Sequence, residues 1–294
     1  EDLRPKRIES EHLCGKCGEP CRSVFSPDNN AWFWACDDSS CGHGFDAWDP
    51  VRPLFERLIG LPEGFPAHPH RGFETVTYLI EGHMKHRDHL GNEGDLKQGG
   101  VQWMTAGRGI IHEEMPQQQD GLLRGFQLWI NLPAAEKMKP AGYRDVADTE
   151  MPRLDLPGGG QVKAIAGEVV VDGETLSAPV KGGSTDPLYL DLKLRPGEQV
   201  TVPLKAGYNA FLYLFEGSLS VAGEDVPAEH TAVLDDGDQV TLEAGARGAR
   251  LVLLAGKPLG EPIAQYGPFV MNTQEEIEQA LRDYRAGSLT EPAA

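Results

Sequence analysis

Beyond position 41 this chain of 294 residues contains no cysteine, and all five fall between Cys14 and Cys41. A disulfide framework spreads its cysteines through the fold and uses an even number, so a secreted disulfide scaffold fits poorly. No run of about 18 apolar residues occurs, which excludes a membrane-spanning helix. Basic residues are scarce: 27 lysines and arginines stand against 45 acidic residues, a net charge of −18. A broad basic face for a phosphate backbone is therefore not available, and direct nucleic-acid binding is not expected. The opening Glu1-Asp2-Leu3-Arg4 is polar and lacks the apolar core of a secretory signal, so a cytoplasmic location is expected.

What the chain does have is length for two cores, with 35 glycines and 22 prolines that suit an all-β protein with many turns. Two stretches carry chemistry. The first is His68-Pro69-His70-Arg71-Gly72-Phe73-Glu74-Thr75-Val76-Thr77-Tyr78, and the second is Gly107-Arg108-Gly109-Ile110-Ile111-His112-Glu113-Glu114. A strand sends every second side chain to one face. His68 and His70 can therefore point the same way, and so can His112 and Glu114. Two such pairs on facing strands of a barrel bring three nitrogens and one carboxylate to a point, a set that suits a divalent transition metal with positions left open. Glu113 then points away. Glu74, four residues after His70, falls on the face of the histidines if the strand stays regular, as support or pocket wall, or else is an ordinary polar residue at the barrel mouth. Glu114 at the metal edge could also take a proton from a substrate hydroxyl, which makes it the catalytic candidate.

These motifs, together with Met104-Thr105-Ala106 before the second and the closing Tyr266-Gly267-Pro268-Phe269-Val270-Met271-Asn272-Thr273, resemble the pirin family of the cupin superfamily. The resemblance runs from about Gly64 to Gly287. It implies a bicupin: two β-barrels of double-stranded β-helix type with a C-terminal helix, and Fe(II) in the N-terminal barrel. It places the iron ligands on His68, His70, His112 and Glu114. Another first-row metal could use the same donors. Bacterial pirins are assigned an iron dioxygenase activity that opens flavonols such as quercetin, the quercetin 2,3-dioxygenase type, with O2 as co-substrate. Animal pirins resemble a different description, a metal- or redox-sensing regulator that binds a protein partner.

The N-terminal segment, 1–50, has its own pattern. Cys14-x2-Cys17 and Cys36-x4-Cys41 are separated by 18 residues and make a tetrahedral thiolate site for structural zinc. The segment resembles a zinc ribbon of the four-cysteine type, with Cys21 spare. Its ten acidic and five basic residues argue for a structural or protein-docking role over phosphate binding. Where pirins have barrel strands of their own, Phe45 to Ile59 shows little likeness.

The expected organisation is a ribbon-like segment at 1–50, a metal-binding barrel at 51–140, and at 141–294 a linker, a second barrel and a closing helix. Residues 133–160, with Pro140, Pro152 and Pro157, read as a connection with one short turn near Ala134. Phe211-Leu-Tyr-Leu-Phe215 followed by Glu216-Gly217 mirrors Tyr78-Leu-Ile80 followed by Glu81-Gly82, the sign of a duplicated barrel. The copy lacks the ligands: Gly207-Tyr208-Asn209 stands in place of a histidine pair and His230 is alone. Thr273 with Glu276 forms a capping box for a helix to Ala286, with Ile277, Ala280, Leu281 and Tyr284 as its apolar face.

Overall fold

The computed structural model describes residues 2–10, 21–26, 31–36, 51–54, 64–117 and 122–291, the first four strands as backbone. In chain order these are β1 (Pro5–Ser10), β2 (Cys21–Ser26), β3 (Ala31–Cys36) and β4 (Val51–Leu54). Then come β5 (Phe65–His70), β6 (Phe73–Glu81), β7 (His83–Asp88), β8 (Glu93–Lys97), β9 (Val101–Thr105), β10 (Ile110–Pro116), β11 (Arg124–Asn131) and β12 (Gly142–Val146). The second half supplies β13 (Arg153–Asp155), β14 (Gln161–Ala166), β15 (Glu168–Val171), β16 (Glu174–Ser177), β17 (Leu188–Leu194) and β18 (Gln199–Pro203). It continues with β19 (Asn209–Val221), β20 (Glu224–Val226), β21 (His230–Leu234), β22 (Gln239–Gly256), β23 (Ala264–Tyr266), β24 (Phe269–Met271) and α1 (Gln274–Ala286). The result is the expected all-β bicupin with a C-terminal helix. No helix among the described residues is long and apolar enough to cross a membrane.

The chain divides into two compact units. One holds Arg22–Asp148 and Leu259–Ala294, the other Glu1–Cys21 and Thr149–Pro258. These boundaries differ from the expected 51–140 and 141–294. The tail crosses back to the first unit, and β1 pairs antiparallel with β21 of the second, Ile8 opposite Ala232. Residues 133–160 are also more ordered than a linker: β12 pairs with β9 and β13 with β14. The local signal there, three prolines, says where strands stop, but says nothing of which sheet edge receives the short strands between them.

The two larger sheets of the first unit are ordered β5-β10-β7-β8 and β12-β9-β6-β11-β4. Its interior mixes apolar and polar side chains, which alternate with half-exposed residues along β10 and β11. The second unit is built on the sheet β1-β21-β19-β22-β17-β14-β13, with β18 pairing β22 and β20 pairing β19. Its outer strands alternate, as in Gln199-Val-Thr-Val-Pro203, where only the valines are buried, while β14, β17 and the first half of β19 are buried almost throughout. Their inward faces meet in one cluster that includes Leu190, Leu192, Leu212, Leu214, Leu251 and Leu253, all fully buried. Burial of side chains this size contributes roughly 1.5–3 kcal/mol each.

The helix forms as its capping box predicts. The Thr273 hydroxyl accepts from the Glu276 N–H and the Glu276 carboxylate accepts from the Thr273 N–H, and Gly287 ends the helix in the left-handed region. Ile277 and Ala280 pack on Phe269, Met271 and Leu289, with Leu281 partly buried, while Tyr284 stays largely exposed. Of the proposed zinc ligands, Cys14, Cys17 and Cys41 lie outside the described residues, and Cys36 is the last residue of β3. β2 and β3 pair with each other.

Candidate metal centre

β5 and β10 run antiparallel with His68 opposite His112 and His70 opposite Ile110. Along β10 the residues Ile110, His112 and Glu114 are buried, while Ile111, Glu113 and Met115 are turned half outward. Strand alternation thus puts His112 and Glu114 on one face of β10. The ring centres of His68 and His112 are 4.2 Å apart, those of His68 and His70 4.8 Å, and those of His70 and His112 5.0 Å. One nitrogen from each ring lies within 4.8 Å of the others.

The nitrogens show which atoms face the centre. His68 donates Nδ1–H to the Pro66 carbonyl at 2.9 Å, which leaves Nε2 for the centre. His112 has Nδ1 3.4 Å from Nδ1 of His86, and its buried Nε2 has no hydrogen-bond partner. Among the described residues neither ring nitrogen of buried His70 makes a well-aligned hydrogen bond, although the ring meets the Pro268 backbone. Leaving such atoms unsatisfied costs about 1–3 kcal/mol each, and a cation between the rings would take their lone pairs. Burial, as the largest cause, pushes all three imidazoles below their ordinary pKa, His70 and His112 furthest, with repulsion from neighbouring imidazoles adding to it. The neutral ring that results is the form that ligates metal. The three histidines therefore fit a divalent metal.

Glu114 is buried on the same interior face, held through both oxygens. Oε1 accepts from the Thr77 hydroxyl at 3.2 Å and Oε2 from Gln127 Nε2 at 2.9 Å. It stands outside the 4.8 Å group that the histidines form. Gln127 is itself fixed, because its Oε1 accepts from Trp129 Nε1 at 3.1 Å. Phe73 and Trp129 pack edge-on against His70, with ring centres 5.1 and 5.4 Å from it. His68, Gln127 and Trp129 are the half-exposed members of this group.

Glu74 is a correction. Gly72 has φ +91°, so the strand does not run regularly from His70 into β6. Glu74 instead faces β9, accepting from the Thr105 hydroxyl at 2.6 Å and from Trp103 Nε1 at 3.2 Å, with Lys139 Nζ 3.4 Å away. The residues that sequence reasoning missed are His86, Thr77 and Gln127. His86-x-Asp88 repeats the two-residue spacing, and Gln127 is the lone polar side chain in Phe126-Gln-Leu-Trp-Ile130, two signals that were available.

The turns after the ligands are tied down from outside the barrel strands. Gly72 donates its N–H to the Gly107 carbonyl at 2.7 Å, which joins the two motifs. A Cβ on Gly72 would sit 2.0 Å from the Val270 carbonyl oxygen. Arg71, 3 % exposed, uses Nε on the Arg108 carbonyl, Nη1 on Asp283 of α1 at 2.7 Å and Nη2 on the Leu289 carbonyl at 2.9 Å. Lys137, 1 % exposed, donates to the Gly72 carbonyl at 2.8 Å, Asn131 Oδ1 at 2.6 Å and the Val270 carbonyl at 2.8 Å. Burial pulls its pKa down to about 8, so at pH 7 it is still charged and its three N–H bonds meet three acceptors.

A family model for pirin matches residues 38–130, and one for the pirin C-terminal cupin domain matches residues 189–290. The chain belongs to the pirin family. A Pseudomonas aeruginosa protein that carries the provisional name quercetin 2,3-dioxygenase is 55% identical over 230 residues, 77% of this pirin and 80% of that protein. Human pirin is 44% identical over 244 residues, 81% of each chain. Among solved structures, a quercetin 2,3-dioxygenase from Acinetobacter baumannii superposes with a TM-score of 0.77 at 29% identity, covering 98% of this chain and 99% of that one.

Proposed function

We propose that this pirin is a metal-dependent dioxygenase of flavonols such as quercetin, with Fe(II) held by His68, His70 and His112. The observation that carries the reading is the trio of imidazoles, His70 and His112 buried and His68 half-exposed, whose nitrogens converge within 4.8 Å. The names carried by the Pseudomonas and Acinetobacter relatives support the substrate class. When bound, the metal supplies Lewis acidity and a path for electrons between an aromatic substrate and O2.

The protein's own groups do the rest. His68, Gln127 and Trp129 mark the side from which a planar substrate approaches, because they are the half-exposed residues beside the ligands. Trp129 and Phe73 give that side an aromatic wall. Glu114 is the fourth ligand in this reading and also the acceptor for the proton of the flavonol hydroxyl. Thr77 and Gln127 hold its two oxygens in place beside the ligands.

The test is O2 uptake by Fe(II)-loaded protein supplied with quercetin. Turnover should require metal and vanish in His70→Ala. Equal turnover by metal-free protein would overturn the proposal.

A further inference from the structure

His86 has no exposed surface and no place in the ligand set, yet it touches it. Its Nδ1 lies 3.4 Å from Nδ1 of His112, and its Nε2 lies 3.4 Å from Oδ2 of Asp88. Its ring stacks on Tyr143 with centres 4.5 Å apart and planes 24° from parallel. Tyr143 is itself fixed: its hydroxyl donates to Asp145 at 2.6 Å and accepts from Gln102 Nε2 at 2.9 Å. Asp88 is anchored by the N–H groups of Leu90 at 2.9 Å and Asn92 at 3.1 Å and by the Asn92 side-chain amide at 2.8 Å. The ring of His86 is thus held in plane by one neighbour and at one edge by another.

The Gln102 side chain also reaches His86, and the proton bookkeeping along the row from Asp88 to His112 runs as one chain of donors and acceptors. If Nε2 of His112 gives its lone pair to a metal, the proton of that neutral ring sits on Nδ1 and must be donated. The atom opposite is Nδ1 of His86, which can accept only if its own proton is on Nε2. That proton in turn faces the Asp88 carboxylate. We infer that His86 is a positioning residue that fixes the tautomer of His112, so that Nε2 is presented to the metal. The row reads Asp88 to His86 to His112 to metal. The inference rests on the three-histidine metal reading and not on the choice of substrate. Both contacts are long for hydrogen bonds. A cation on Nε2 would make the Nδ1–H of His112 a stronger donor to His86.

Two independent measurements test this on the full chain. The first is long-range 1H–15N NMR of the imidazoles in Zn(II)-loaded wild-type protein. It should show His112 protonated on Nδ1 and His86 protonated on Nε2. A proton on Nδ1 of His86 would overturn the inference with no variant needed. The second is Co(II) affinity, by competition with a chelator, in H86F and H86N. Phenylalanine keeps the stacking on Tyr143 but removes the acceptor, and should weaken binding by roughly 10–100-fold, the usual effect of losing such a partner. Asparagine carries its amide oxygen at the same distance along the side chain as the lost Nδ1 and should recover part of that loss. Wild-type affinity in H86F, or H86N no better than H86F, would overturn the inference while leaving the metal site standing. If wild-type protein takes up no Co(II), the metal reading falls and this inference with it.

Discussion

In the first unit, β6 turns Phe73 towards His70 and Thr77 towards Glu114. In the second, β19 buries Ala210, Leu212 and Leu214 in a cluster of leucine, valine and alanine. The tyrosine at position 208, where the first motif would have a ligand, reaches out to Asp186 at 2.8 Å, and His230 donates to the Ala228 carbonyl at 2.8 Å. Similar antiparallel strands thus enclose opposite chemistry. An apolar interior holds itself together by burial. A polar interior does not, because each buried donor and acceptor needs a partner at a fixed place. The first unit meets this demand with groups from far along the chain: Asp283 and Leu289 for Arg71, Val270 for Lys137.

The contrast can be broken at the clasp. Arg71→Ala leaves Asp283 with Gln279 alone and the Arg108 and Leu289 carbonyls without their donor. It should destabilise the protein by about 2–5 kcal/mol in a denaturant titration, about 1–3 kcal/mol for each orphaned carbonyl, and lower metal occupancy after dialysis. A loss below 1 kcal/mol with full occupancy would show that the tail does not hold the ligand strand.

Leu212→Ala sharpens the contrast from the other side. It should cost about 2–5 kcal/mol, as large-to-small changes in tight cores do, with metal stoichiometry unchanged. Metal loss in this variant would mean that the second interior is not merely structural.

Lys137 gives a smaller, pH-dependent effect. Its pKa falls from 10.5 in the unfolded chain to about 8 in the folded protein. Between those values the unfolded chain binds more protons, so stability from this group rises with pH, by at most about 1.4 kcal/mol per unit. Below pH 8 the penalty of a buried charge is in full force. The stability difference between wild type and Lys137→Met should therefore move in favour of wild type from pH 8 to pH 10. A flat or opposite trend would show that Lys137 is not shifted by burial.

Much of this was legible from local pattern. The two-residue spacing of His68 with His70 and of His112 with Glu114 depends only on strand alternation, which holds wherever a strand lies. The capping box of Thr273 and Glu276 is equally local, and so is the turn at Glu81-Gly82. Reading Glu74 as a neighbour of the histidines failed at one residue, Gly72, whose left-handed backbone ends one strand and starts another in a different sheet.

The residue types on the metal strands, their inward or outward direction and the closing helix were determined by the sequence alone, since each follows from neighbours within four positions. Only the tertiary structure decided that His86 backs His112, that Thr77 and Gln127 hold Glu114, and that α1 anchors the turn after His70. Those partnerships depend on registers between segments up to 212 positions apart, as for Arg71 and Asp283, and no periodicity along the chain carries that distance.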